Sequence, residues 1–282
     1  MCYNRRMKIY SLFAAAGAAL SCMSVAAAMP QGGICAHRGD LKCAPENTVP
    51  AFRMAAEKGA AMVEFDVKRC KTGEYVIMHD PTVDRTTTGT GLVSRLTFAE
   101  LRSFDAGVKK DPKFAGTRIP TFDEAIDCLP KDGIWINVHC GCPSLEIARK
   151  IKEKGRLHQA FISTSIKDAE RTRKEVPEIL VCNMSRTKKG LDAYFKPWTP
   201  EELRKYAQDT VDHKFNFLQH LYPCSREDSD IVHAAGGKVA FFHCEKPARL
   251  KDLLDRGIDF ILTNNLDAMN AEYRRLMAEK GR

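Results

Sequence analysis

Short apolar runs alternate with amphipathic segments along almost the whole chain. Nine runs have the length and composition of buried strands: Ile34–Ala36, Met62–Val67, Tyr75–Met78, Ile134–Val138, Ala160–Ser163, Ile179–Cys182, Phe215–Gln219, Lys238–Phe242 and Asp259–Leu262. The segments between them read as helices with recognisable ends. Val49–Lys58 follows the capping candidates Asn47 and Thr48, carries Pro50 in its first turn and stops at Gly59. Thr199-Pro200-Glu201-Glu202 opens another helix in the same way, and Pro247–Arg256 stops at Gly257. This rhythm predicts an α/β fold on a parallel sheet.

One connection is too short for that scheme. Parallel neighbours need a crossover of about a dozen residues or more, yet only Lys68–Glu74 lies between the second and third runs. The third run is therefore expected to return antiparallel, as a hairpin on the second. Eight parallel strands remain, the number of a (β/α)8 barrel, in a stretch of ordinary size for that fold. With the turn centred on Thr72-Gly73, residue i would face residue 145 − i, placing His79 opposite Asp66.

The first residues carry a different signal. Arg5, Arg6 and Lys8 precede an apolar stretch from Ile9 to Leu20, and Ala26-Ala27-Ala28 offers small residues for cleavage. The pattern predicts a secretory leader over residues 1–28, one barrel domain over 29–282, and a periplasmic or secreted destination. Lipoprotein anchoring through Cys22 is the alternative. No run outside the leader approaches the length of a membrane span.

The chain has 282 residues, 44% hydrophobic and 28% charged, which excludes a disordered or low-complexity protein. Its net charge is +8; without the three leader cations, 41 basic residues stand against 36 acids, about +5. Basic residues are scattered and aromatics do not interleave with them, so a nucleic-acid partner is not expected. Nine of the eleven cysteines follow the leader, an odd number, and several lie in apolar runs, so mostly free thiols are expected.

Polar residues that could carry chemistry cluster at the C-terminal ends of the strands, where such barrels hold their sites. They are His37-Arg38-Gly39, Glu64-Phe65-Asp66, His79-Asp80 and Asn137-Val138-His139. Glu64 and Asp66 share one face of their strand. Two buried carboxylates side by side call for a cation, and a divalent metal suits them. The guanidinium of Arg38 matches phosphate oxygens, and imidazoles suit proton transfer near neutrality. Together these point to metal-assisted cleavage of a small phosphodiester, with one histidine removing a proton and another supplying one.

At this point the chain resembles the glycerophosphodiester phosphodiesterase family. The resemblance rests on Ala36-His37-Arg38-Gly39, Pro45-Glu46-Asn47-Thr48, Glu64-Phe65-Asp66-Val67, His79-Asp80, Arg85-Thr86-Thr87, Gly89-Thr90-Gly91 and Ile119-Pro120-Thr121, in the family's order. It implies hydrolysis of a glycerophosphodiester to glycerol 3-phosphate and an alcohol. It also implies His37 and His79 as the acid/base pair, Glu64 and Asp66 as metal ligands, Arg38 as a phosphate contact and Glu46 close to the substrate. The metal it implies is Mg²⁺ or Ca²⁺. For Asn47 and Thr48 a capping role is expected.

The chain departs from the family on its third parallel strand. Where the family carries Asn-aliphatic-Glu-aliphatic-Lys, the run is Asn137-Val138-His139-Cys140-Gly141. His139 takes the place of the third acidic ligand, which makes Mn²⁺, Zn²⁺ or Fe²⁺ more plausible. Thr263-Asn264-Asn265 stands where Thr-Asp is usual. The lost acid and lysine motivate another reading, a silent barrel that binds a phosphorylated glycan or lipid headgroup; a third is a phospholipase-D-like relative on the same barrel, acting on intact lipids.

Overall fold

The computed structural model describes residues 29–184 and 196–281; the leader expected over residues 1–28 lies outside them. The strands are β1 (Gly33–Ala36), β2 (Met62–Arg69), β3 (Tyr75–Ile77), β4 (Trp135–Cys140), β5 (Ala160–Thr164), β6 (Leu180–Asn183), β7 (Phe217–His220), β8 (Lys238–Phe241) and β9 (Phe260–Thr263). The helices are α1 (Val49–Glu57), α2 (Phe98–Ser103), α3 (Phe122–Asp127), α4 (Ser144–Glu153), α5 (Ile166–Glu175), α6 (Pro200–Asp212), α7 (Arg226–Ala234), α8 (Leu250–Asp255) and α9 (Leu266–Lys280).

The parallel strands follow one another round the sheet, and β1 pairs with both β9 and β2, which closes it. The result is a (β/α)8 barrel, with β3 running antiparallel along the upper part of β2. Its inside is plugged by side chains from alternate strand positions, among them Met62, Phe161, Phe217, Phe260 and Leu262. The Phe161 and Phe217 rings stack at 4.0 Å. The opposite faces of the strands pack against the helices in a larger core that includes Val63, Phe65, Ile136 and Ile162.

Above the apolar plug the interior turns polar. Ser163 Oγ donates to Asn137 Oδ1 at 2.7 Å, and all of Asn137, Ser163 and Gln219 are buried. The barrel register sets Glu64 beside Asn137 and Asp66 beside His139. Polar side chains thus begin at the level where the strands end, and that level is the floor of the site.

The hairpin forms as expected, but its register is one residue tighter. Val67 faces Ile77, and the Met78 amide donates to the Asp66 carbonyl at 2.9 Å. The reason lies in the turn. Gly73 N–H bonds to the Cys70 carbonyl and Cys70 N–H to the Glu74 carbonyl, so the loop centres on Thr72 alone. His79 therefore does not face Asp66 across the ladder. It belongs instead to an excursion that runs from the end of β3 to α3 and has its own small core of Met78, Val83, Val93, Leu101, Ala106 and Ile119. That core makes the excursion a firm support rather than a loose loop.

Among the described residues all nine cysteines are free. No helix among them is long and apolar enough to cross a membrane.

Candidate metal and acid/base site

The turn after β1 builds one wall. Arg38 and Gly39 both take left-handed backbone conformations, at φ 54° and 79°. Glycine is required at 39: a Cβ there would stand 2.8 Å from the backbone carbon of Ala51 in α1. The chain then folds back on itself, with the Asn47 amide bonded to the Arg38 carbonyl at 2.9 Å. This brings Glu46 and Asn47 against the ends of β1 and β2.

Glu64, Asp66 and His139 converge at the centre. Each offers a ligand atom, and these atoms all lie within 4.8 Å of one another. His139 Nδ1 is 3.0 Å from Glu64 Oε1 and 3.9 Å from Asp66 Oδ1. Glu64 is fully buried; its Oε2 accepts the Arg38 amide at 2.9 Å, while Oε1 accepts no hydrogen bond. Burial, and next the neighbouring Asp66 carboxylate, push Glu64 well above the usual carboxylate range. An orphaned buried carboxylate oxygen beside a second acid and an imidazole is the donor set a divalent cation satisfies. By this test the residues present fit a metal.

Asn47 does not cap α1. Thr48 holds the N-cap position, but its hydroxyl donates to the Pro45 carbonyl at 2.6 Å rather than capping. Asn47 clamps Asp66 from both sides: its Nδ2 donates to Asp66 Oδ2 at 2.9 Å, and its Oδ1 accepts the Asp66 amide at 3.3 Å. The expectation of a simple helix cap gives way because Asn47, itself left-handed at φ 56°, turns its amide inward to the strand.

The two expected acid/base histidines occupy different surroundings. His37 is 7% exposed, its Nδ1 donates to Asn264 Oδ1 at 2.7 Å, and its Nε2 lies 3.9 Å from Glu64 Oε2. Burial, and next the Arg38 charge, lower it to about 4. It is therefore neutral at pH 7, with the free nitrogen turned toward the acids. His79 stands on the excursion, its side chain 43% exposed, and its Nδ1 donates to Asp80 Oδ1 at 2.7 Å. It lines a cavity of about 310 Å³ together with Asp66, Lys68, His139 and Ser163.

A chain of ion pairs ties these walls together. Arg85 donates to Asp80 Oδ2 at 2.6 Å and to both Glu46 oxygens at 2.7 and 2.8 Å, and Arg38 donates to Glu46 Oε1 at 3.0 Å. Arg85, and next His79, hold Asp80 down at about 2 despite partial burial. Burial works against it, but Arg85 and Arg38 keep Glu46 below the usual carboxylate range. Glu46 is thus engaged by two guanidinium groups, those of Arg38 and Arg85. Two residues join the candidate site here: Arg85, visible in the sequence only as part of a motif, and Asn264, visible only as a departure from Thr-Asp.

A second group of potential ligands, Asp40, Cys43 and Asp267, surrounds a lysine instead. Lys58 Nζ lies 2.7 Å from each of the two carboxylates and 3.3 Å from the thiol sulfur.

Comparison with known proteins places this geometry in context. The model of the glycerophosphoryl diester phosphodiesterase family matches residues 37–268. A glycerophosphodiester phosphodiesterase of Caldanaerobacter subterraneus subsp. tengcongensis is 31% identical over 247 residues, covering 84% of this chain and 95% of its own. Among solved structures, a phosphodiesterase of Oleispira antarctica in complex with the product sn-glycerol-3-phosphate superposes with a TM-score of 0.67 at 26% identity, over 86% of this chain and 96% of its own. The fold is also that of a glycerophosphodiester phosphodiesterase from Agrobacterium tumefaciens, with a TM-score of 0.68 at 23% identity over 85% and 99% of the two chains.

Proposed function

The chain belongs to the glycerophosphoryl diester phosphodiesterase family and is a phosphoric diester hydrolase, and from that premise we propose that it is metal-dependent and cleaves a glycerophosphodiester to glycerol 3-phosphate and an alcohol. One observation carries the reading. Glu64, Asp66 and His139 offer ligand atoms within 4.8 Å of one another, and His37 and His79 approach this group from two different walls.

The metal would be held by Glu64, Asp66 and His139, and when bound it would neutralise charge on the phosphoryl oxygens. With an imidazole among the donors, Mn²⁺ or Zn²⁺ suits the site as well as Mg²⁺ or Ca²⁺. Arg38, anchored by Glu46, offers its guanidinium to the phosphate. Asn264 fixes the His37 proton on Nδ1, which leaves Nε2 free to take a proton from the attacking hydroxyl. Asp80 orients His79 and stabilises the positive charge that ring carries when protonated, so His79 is placed to protonate the departing alkoxide.

The substrate would be a small water-soluble ester rather than an intact lipid: among the described residues Leu92 alone is a large exposed hydrophobic side chain, and those lining the cavity beside His79 and His139 are mostly polar. We also propose that residues 1–28 export the chain, consistent with their charged and apolar order.

The test is turnover of glycerophosphocholine, measured across Mg²⁺, Ca²⁺, Mn²⁺ and Zn²⁺ after removal of bound metal. The reading expects release of glycerol 3-phosphate with at least one ion and none after chelation. Absence of turnover with every ion, or full turnover in chelator, would contradict it.

A further inference from the structure

We propose that Lys68 supplies a direct cationic contact to the phosphoryl group of the substrate, reaching it from β2 across the space left by Gly141. The proposal deepens the reading above and rests on it for the identity of the substrate.

Three observations carry it. Lys68 lies two residues beyond Asp66 and four beyond Glu64 on one strand, so the three side chains share a face. The β2–β4 ladder pairs Asp66 with His139 and Val67 with Cys140, and the Gly141 amide continues it by donating to the Val67 carbonyl at 2.9 Å. The next rung sets Lys68 against Gly141. A Cβ on Gly141 would stand 3.1 Å from the Val67 carbonyl oxygen, 3.2 Å from Lys68 Nζ and 3.6 Å from its Cγ, so the lysine stem lies across the place where a side chain at 141 would be. Gly141 is not among the glycines with a left-handed backbone, so the turn itself does not demand glycine there. Its missing side chain leaves room for the lysine beside the Val67 carbonyl.

The second strand of the argument is charge. Lys68 lines the same cavity as Asp66, His79 and His139. Among the described residues its ammonium enters no ion pair, whereas Arg38 and Arg85 are both tied to carboxylates. Asp66 and Asp168 line the same cavity without pairing with Lys68, so the ammonium is available to an anion, and its three donors suit a non-bridging phosphate oxygen. The resemblance gave reason to expect lysine at 141. The structure puts a lysine in that volume from the neighbouring strand, so the positive charge is kept while its chain position changes.

The experiment compares the metal-loaded parent with Lys68→Met, Lys68→Gln, Lys68→Arg and the double variant Lys68→Met/Gly141→Lys. Turnover of glycerophosphocholine and calorimetric binding of inorganic phosphate are both read. Loss of the contact should lower kcat/KM about 10²-fold and weaken phosphate binding about tenfold in the Met and Gln variants, with metal affinity within about twofold of the parent. Arginine should retain most of both, and the double variant should regain about tenfold in kcat/KM over Lys68→Met. Phosphate binding and kcat/KM within about twofold of the parent in a folded Met or Gln variant would overturn the proposal. A parent chain without turnover would instead sink the hydrolase reading, and the phosphate titration would still decide whether Lys68 meets the anion.

Discussion

His37 and His79 are chemically the same side chain set in opposite surroundings. His37 ends β1 inside the closed barrel, and its orienting partner, Asn264, follows the final strand. His79 stands outside the barrel on an excursion with its own core, and its partner is the next residue, Asp80. Burial and the neighbouring Arg38 charge keep the first ring uncharged, against the opposing pull of its hydrogen bond to Asn264. The second is held by a carboxylate that is itself held by Arg85. If the two rings are the proposed acid/base pair, the environment assigns the direction of each proton transfer, as it does for paired carboxylates in other hydrolases.

Removing either ring should break the pair most severely. His37→Ala and His79→Ala are each expected to cost roughly 10²–10⁴ in turnover of glycerophosphocholine with the fold intact. The two should part company on bis(p-nitrophenyl) phosphate, whose leaving group departs without a proton. There His79→Ala should recover at least about tenfold relative to the parent, and His37→Ala should not. Equal losses on both substrates would erase the division of roles.

The supports of each wall should matter less. Asn47→Ala releases Asp66 and should weaken metal affinity about 10–100-fold, read by competition with a fluorescent chelator. Asn264→Ala frees the His37 ring and should lower kcat about tenfold while leaving metal affinity close to the parent's. A metal-affinity loss in the second variant as large as in the first would show that the His37 side of the site is not separate from the ligand side. His139→Glu should move the preference toward Mg²⁺ or Ca²⁺, seen as a change in the order of activating ions.

A third histidine sharpens the comparison by showing burial without a partner. His220 ends β7 on its outer face, fully buried, with neither ring nitrogen hydrogen-bonded and the Tyr206 ring edge-on at 5.6 Å. Burial lowers it to about 4. Its folded value lies below the unfolded one, so the unfolded chain takes up the extra proton first. Stability is therefore complete above about pH 6.5 and falls as pH drops toward 4, by on the order of 3 kcal/mol in all. Denaturation at several pH values should show this slope, and His220→Leu should reduce it. An unchanged slope would mean that the ring is not the source.

Much of this was legible in the sequence, and what escaped has a physical reason. Alternating runs predicted eight parallel strands and one antiparallel return because crossover length is a hard constraint. The Glu64–Asp66 face followed from strand alternation alone. His139 could be placed beside them because its strand neighbours theirs. The hairpin register was missed by one residue, since the choice between a turn on Thr72 and one on Thr72-Gly73 depends on backbone hydrogen bonds that composition does not display. Asn47 looked like a cap because asparagine before a helix usually is one; its true partner, Asp66, is set by the way the β1–α1 turn folds back. Asn264 is 227 residues from His37 in the chain, and only closure of the barrel makes them neighbours. Arg85 looked like motif decoration until Glu46 and Asp80 were seen on either side of it.

The central claim is that Glu64, Asp66 and His139 hold a divalent cation between the two histidines. Anomalous diffraction from crystals grown with Mn²⁺ tests it most directly. The account predicts a single strong peak bonded to all three side chains at the mouth of the barrel. A peak bonded elsewhere, or no peak in crystals of an enzyme that Mn²⁺ activates, would contradict it.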